Sequence, residues 1–139
     1  LFTSTIPPLL IPAARRALSA TSAKLIYVCN IMTEAGETDG FSAFDHVKTL
    51  HQHLGRYPDA VITNSTPIDD TRLANYRQER ATIVNLDSEV FAAHGVAVYQ
   101  FPILGHGPHA QHDSYELAKH LVEIAKIANQ ELKRARVNA

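Results

Sequence analysis

The amino-acid sequence predicts an α/β fold, a three-layer sandwich around a mainly parallel Rossmann-like sheet, in a single domain over residues 1–139. Short apolar runs rich in β-branched residues, at 24–30, 59–64, 82–86 and 96–101, alternate with stretches of helical periodicity. That alternation is the pattern of βαβ units with right-handed crossovers. The runs are near-continuously apolar, which suits strands covered on both faces, as in a parallel sheet. A length of 139 residues, 45% of them hydrophobic and 19% charged, allows one real core in a globular domain.

The elements follow in order. Pro7-Pro8 opens a first helix, where proline suits the first turn, with Ile11, Ala14 and Leu18 on one face. The strand run KLIYVCN (24–30) holds the lone Cys29, which reads as a buried structural thiol. Ser42 caps the second helix with Asp45 three residues on; Phe44, Val47, Leu50 and Leu54 recur at helical spacing until Gly55 stops it. DAVITN (59–64) is the second strand. Asp69-Asp70 starts a third helix around Leu73 and Tyr76, TIVNL (82–86) reads as a strand, and Asp87-Ser88 starts a short fourth helix ending at Gly95. After VAVYQF (96–101), Asp113 and Glu116 mark the start of the last helix, whose apolar stripe is Leu117, Leu121, Ile124, Ala128 and Leu132. The total is four strands and five helices, and one sheet edge without a neighbour points to a homo-oligomer.

Composition narrows the function. A net charge of −1 carries no footprint for nucleic acid. Lys133, Arg134 and Arg136 close the last helix, where they complement its dipole. No apolar run reaches the roughly 20 residues of a membrane span, so membrane insertion is not expected. A single cysteine fits a reducing cytoplasm.

In open parallel sheets ligands collect beyond the carboxyl ends of the strands. This nominates 30–40, 64–66 and 101–113 as functional loops. The first of them is polar, has two glycines and runs into a helix N-terminus, whose outward N–H groups favour an anion. Glu34, Glu37 and Asp39 would repel a bare phosphate but suit a sugar hydroxyl, and Asp39-Gly40 reads equally as a turn. His106, His109, His112 and Asp113 have the residue types of a transition-metal site. Gly107-Pro108 between them favours solvated loop histidines instead, and no structural metal or required cofactor is expected. His46, His51, His53, His94 and His120 fall within helices, on solvent-facing or boundary positions. No nucleophile elbow, P-loop or paired-cysteine site occurs. Asp39, His112 and Asp113 remain as acid–base groups.

Residues 24–47, KLIYVCNIMTEAGETDGFSAFDHV, closely resemble the signature of the gluconeogenesis factor (YvcK-like) family, related to the 2-phospho-L-lactate transferases (CofD-like). The opening LFTSTIPPLL, DAVITN at 59–64 and Gln111-His112-Asp113-Ser114 match in the same order. The resemblance implies that this is the C-terminal part of a larger nucleotide-binding protein, lacking a glycine-rich loop. It further implies a UDP-sugar-binding regulator of bacterial carbon metabolism and cell shape. Its ligand-facing residues would be Asn30, Thr33, Asp39, Tyr76, Gln111, His112 and Asp113, and its partners a regulatory kinase or cell-wall enzyme. The alternative is a phosphotransferase using a GDP-linked donor and a divalent metal. Similar proteins commonly carry Arg where this chain has Gln111, and Arg would pair bidentately with a diphosphate. Ser114 stands where relatives often have a phosphorylatable Thr; it is otherwise a first-turn helix residue.

Overall fold

The computed structural model describes residues 1–137, except for the side chains of Asn129 and of 131–137. Leu132, Lys133, Arg134 and Arg136, assigned above to an apolar stripe and a basic helix end, lie outside the described side chains. The elements are α1 (Ile6–Leu9), α2 (Pro12–Ala20), β1 (Ile26–Val28), α3 (Ala43–Leu54), β2 (Ala60–Asn64), α4 (Asp70–Gln78), α5 (Ser88–Ala92), β3 (Ala97–Phe101) and α6 (Ser114–Val137).

The three strands form a parallel sheet in the order β1-β2-β3, with Ile26 opposite Ala60 and Ala60 opposite Ala97. Side chains alternate across it. Tyr27, Cys29 and Val61 pack with Val47, Leu50 and Leu54 of α3, Leu9 of α1 and Phe91 of α5. Ile26, Val28, Ile62, Tyr99 and Phe101 face the other way, against Leu117, Leu121 and Ile124 of α6. The result is the predicted three-layer sandwich. Central β2 is covered on both faces, as its apolar run requires, whereas β3 lies at an edge with Ala97 and Gln100 exposed.

Two expected elements differ. The run 82–86 joins no sheet; only Met32 and Ile83 form an isolated antiparallel bridge. Its backbone is spent on the loop after β1, through Thr33 N–H to Thr82 C=O at 2.8 Å and Val84 N–H to Ile31 C=O at 3.0 Å. Apolar, β-branched composition cannot distinguish such a strap from a strand. The first helix is two, because Pro12 drives Ile11 out of the helical region to φ −79°, ψ 114°. The expected apolar face is not core: Ile11 is 57% exposed and α2 has no buried residue. The described residues therefore hold three strands and six helices, not four and five.

The other helix ends follow the sequence. Ser42 and Asp45 form a complete capping box, and Gly55 ends α3 in the left-handed region at φ +86°, a conformation costly for any residue with a Cβ. Asp69 caps α4 through the Arg72 N–H. Asp113 accepts from the N–H groups of Tyr115 and Glu116 at the head of α6, while the Glu116 carboxylate turns to Lys119 rather than closing a box.

Candidate functional site

Three loops leave the carboxyl ends of β1, β2 and β3 and meet around Asn30. Two adjoining hollows open there, sharing Asn30 and Ile31. One lies between β1's exit, Thr63–Ile68 after β2, and the strap Ile83–Leu86. The other lies between Met32–Glu34, Tyr76 of α4, and Ala110–His112.

The loop after β1 is held by its own polar groups. Thr33 is buried, and its hydroxyl accepts from the Thr82 N–H at 2.9 Å. The fully buried Thr38 hydroxyl accepts from the Glu34 N–H, and the Asp39 carboxylate accepts from the Gly36 N–H, both at 2.8 Å. Gly36 and Gly40, at φ +80° and +71°, provide the reversals. The helix N-terminus that follows offers little to an anion. Its N–H groups at Ala43, Phe44 and Asp45 go to Asn85 C=O, the Asp87 carboxylate and the Ser42 hydroxyl. The anion site expected at this N-terminus is occupied by the protein's own acceptors.

The 101–113 loop is braced rather than loosely solvated. Gly105 N–H bonds Gln111 C=O at 2.8 Å, and Asp113 N–H bonds Ile103 C=O at 2.8 Å. Arg72 reaches across to Gly105 C=O at 3.0 Å, and the Tyr76 hydroxyl accepts from the Ala110 N–H at 2.9 Å. His106 and His109 are exposed, but His112 is half-buried with Nε2 3.1 Å from the Cys29 carbonyl oxygen. Burial lowers the pKa of His112, partly offset by that bond, so the ring is neutral at pH 7.

The structure thus brings Asn30, Thr33, Tyr76, Gln111 and His112 to one hollow. Asp39 is exposed in its own turn, Asp113 caps α6, and exposed Ser114 is the first residue of that helix. Sequence reasoning missed the groove-lining role of Ile68, Ile83 and Val84; of the three loop carboxylates it singled out, Glu34 is the one that lines the hollow. It also missed the brace from Arg72; nothing in an exposed-looking helix sequence marks an arginine that grips a distant carbonyl. Cys29 is buried as expected, its thiol pushed up to about 12 chiefly by burial. His46 is not at a boundary: it is fully buried, its Nδ1 2.8 Å from Ser42 C=O and its pKa lowered by burial. His94 lies in the turn after α5.

Among the described residues no three His, Cys, Asp or Glu side chains stand where they could share a metal ion. In the hollow itself Glu34 is the one carboxylate, a poor donor set for a divalent cation, which prefers several oxygen ligands. No Lys or Arg lines either hollow.

A parallel, doubly covered sheet with its groove at the carboxyl strand ends defines a Rossmann-like α/β protein. The chain belongs to the 2-phospho-L-lactate transferase CofD family, whose model matches residues 1–104. It is 41% identical over 124 residues to a putative gluconeogenesis factor of Deinococcus radiodurans, covering 89% of this chain and 26% of that protein. It is 37% identical over 128 residues to the gluconeogenesis factor of Bacillus subtilis, covering 91% and 40%. A crystal structure of a UPF0052 family member from Bacillus halodurans superposes with a TM-score of 0.83 at 31% identity, over 87% of this chain and 39% of that one. The chain therefore spans well under half the length of these relatives.

Proposed function

We propose that this chain forms one wall of a UDP-sugar site in a cytoplasmic regulator of bacterial carbon metabolism and cell shape, whose output passes through a partner kinase or cell-wall enzyme. The carrying observation is the convergence of Asn30, Thr33, Tyr76, Gln111 and His112 on one groove from three separate elements. Polar groups on an apolar floor of Ile31, Met32 and Ala110 suit an uncharged, hydroxyl-rich ligand end. The names of the gluconeogenesis factors support the metabolic role. Ser114, exposed at a helix start, is accessible to a kinase. A transferase using a GDP-linked donor is the second reading, favoured by the family model over residues 1–104.

Calorimetric titration of the full-length gene product with UDP-N-acetylglucosamine and with GDP, each with and without Mg²⁺, separates them. Metal-independent binding of the UDP-sugar is expected. Metal-dependent binding of GDP alone would move the assignment to the transferase, and binding of neither would end both.

A further inference from the structure

The sheet-facing side of α6 is accounted for by Leu117, Leu121 and Ile124, which pack with the apolar residues of β1, β2 and β3. Its opposite side carries a second apolar stripe. Tyr115 is 72% exposed and Val122 53%, and exposed Ala118 and Ala125 complete the series. Steps of three, four and three residues keep 115, 118, 122 and 125 in one narrow seam, the spacing at which two helices pack side by side. A helix side that meets only water needs no such seam. A shallow hollow runs along it, and only α6 residues line it: Tyr115, Ala118, Lys119, Val122, Glu123 and Lys126.

We propose that this side of α6 is a self-association surface, on which a second copy of the chain docks antiparallel through the 115–126 seam. The charges beside the seam select that occupant. Along one flank they alternate as Glu116, Lys119, Glu123 and Lys126, an order that is complementary to its own reverse. With a two-fold axis beside Leu121, Glu116 meets the second copy's Lys126 and Lys119 meets its Glu123, and symmetry makes each pair twice. A parallel pair would instead set like charges together. The antiparallel register also puts Ala118 against Ala125, small residues that let the helix axes approach, and brings Val122 beside its own symmetry mate. Within one chain Lys119 donates to Glu116 at 2.8 Å and lies over the Tyr115 ring, so these groups already stand on the seam. The seam covers about 18 Å of helix and its ion pairs are exposed, so the dimer is reversible and weakens with salt.

Sedimentation equilibrium of the full-length gene product, without ligand, should show a concentration-dependent dimer that is weaker in high salt than in low. Glu123→Lys sets like charges opposite Lys119 twice per dimer and should weaken association about 10-fold or more. Lys119→Glu combined with Glu123→Lys restores both pairs with their signs exchanged and should recover it. Crosslinking checks the register independently, because Cys29 is buried and does not compete. Val122→Cys should oxidise to a covalent dimer. Ile127→Cys, as exposed but on the side of α6 that borders Ala97 and Tyr99, should not. A protein that is monomeric at about 100 µM in low salt would overturn the proposal. So would a dimer that tolerates Glu123→Lys, or one in which Val122→Cys crosslinks no better than Ile127→Cys. If Glu123→Lys does not fold, the two cysteine variants decide.

Discussion

Tyr76→Phe separates two roles that the site geometry assigns to a single side chain. The Tyr76 hydroxyl accepts from the Ala110 N–H at 2.9 Å, and Ala110 is 8% exposed. The ring packs with Ile31, Met32, Leu73 and Ala110, and phenylalanine preserves all of that. The substitution therefore creates no cavity and removes one acceptor from a largely buried donor. A typical hydrogen bond contributes about 1 kcal/mol net, and an unpaired buried donor costs about 1–3 kcal/mol, so a loss of about 1–2 kcal/mol is expected. For a domain of this size that is a melting shift of roughly 3–8 °C. The loop stays tethered by Arg72 to Gly105 and by Gly105 to Gln111, so the damage should be local. Faster amide exchange at Ala110, with β2 and α3 unchanged, is the signature. Thermal and denaturant unfolding measure the first quantity and hydrogen exchange the second. Wild-type stability and exchange together with lost ligand affinity would refute the reasoning, placing the hydroxyl on the ligand instead of the backbone.

Three further outcomes follow from the same contacts. Burial lowers the pKa of both His46 and His112; below the free value of about 6.5 the unfolded chain takes up protons that the folded one resists. Stability should therefore be full above that pH and fall as pH drops from it toward the folded pKa values, by at most about 1.4 kcal/mol per pH unit per histidine; a flat denaturant midpoint from pH 7 to 5 would contradict this. Asp113→Ala removes the acceptor for two N–H groups heading α6 and should cost about 1 kcal/mol in unfolding measurements; unchanged stability would contradict the cap. Gln111→Arg adds a cation at the exposed rim and should tighten UDP-sugar binding in a salt-sensitive way; equal affinity at 50 and 500 mM salt relative to wild type would count against a diphosphate near residue 111.

The layered architecture was legible because its signals are local. Ser42 with Asp45, Gly55, Asp69 and Asp113 mark helix ends through bonds made within a few residues of one another, and the apolar runs of β1 and β2 reflect burial on both faces. The failures came where the deciding partner is distant in sequence. Whether 82–86 pairs in a sheet depends on Thr33, some 49 residues away, which captures its backbone. Whether His46 is buried depends on Tyr27 stacked against it and Phe41 packed edge-on. The break at Ile11 was locally encoded by Pro12, but a proline in a first turn is equally compatible with a helix start. For the site, the rule of the carboxyl strand ends located the right loops. It could not show that Asp39 spends its carboxylate on Gly36, or that the N–H groups opening α3 are already bonded.

The central claim is that a UDP-sugar occupies the groove around Asn30. Hydrogen–deuterium exchange of the full-length gene product, with and without saturating UDP-N-acetylglucosamine, tests it most directly. The account predicts slowed exchange at the lining of the paired hollows, above all in three separate stretches, 30–34, 63–68 and 110–112, with α2 and the outer face of α6 unaffected. Binding that leaves those three stretches unchanged and protects another surface would contradict it.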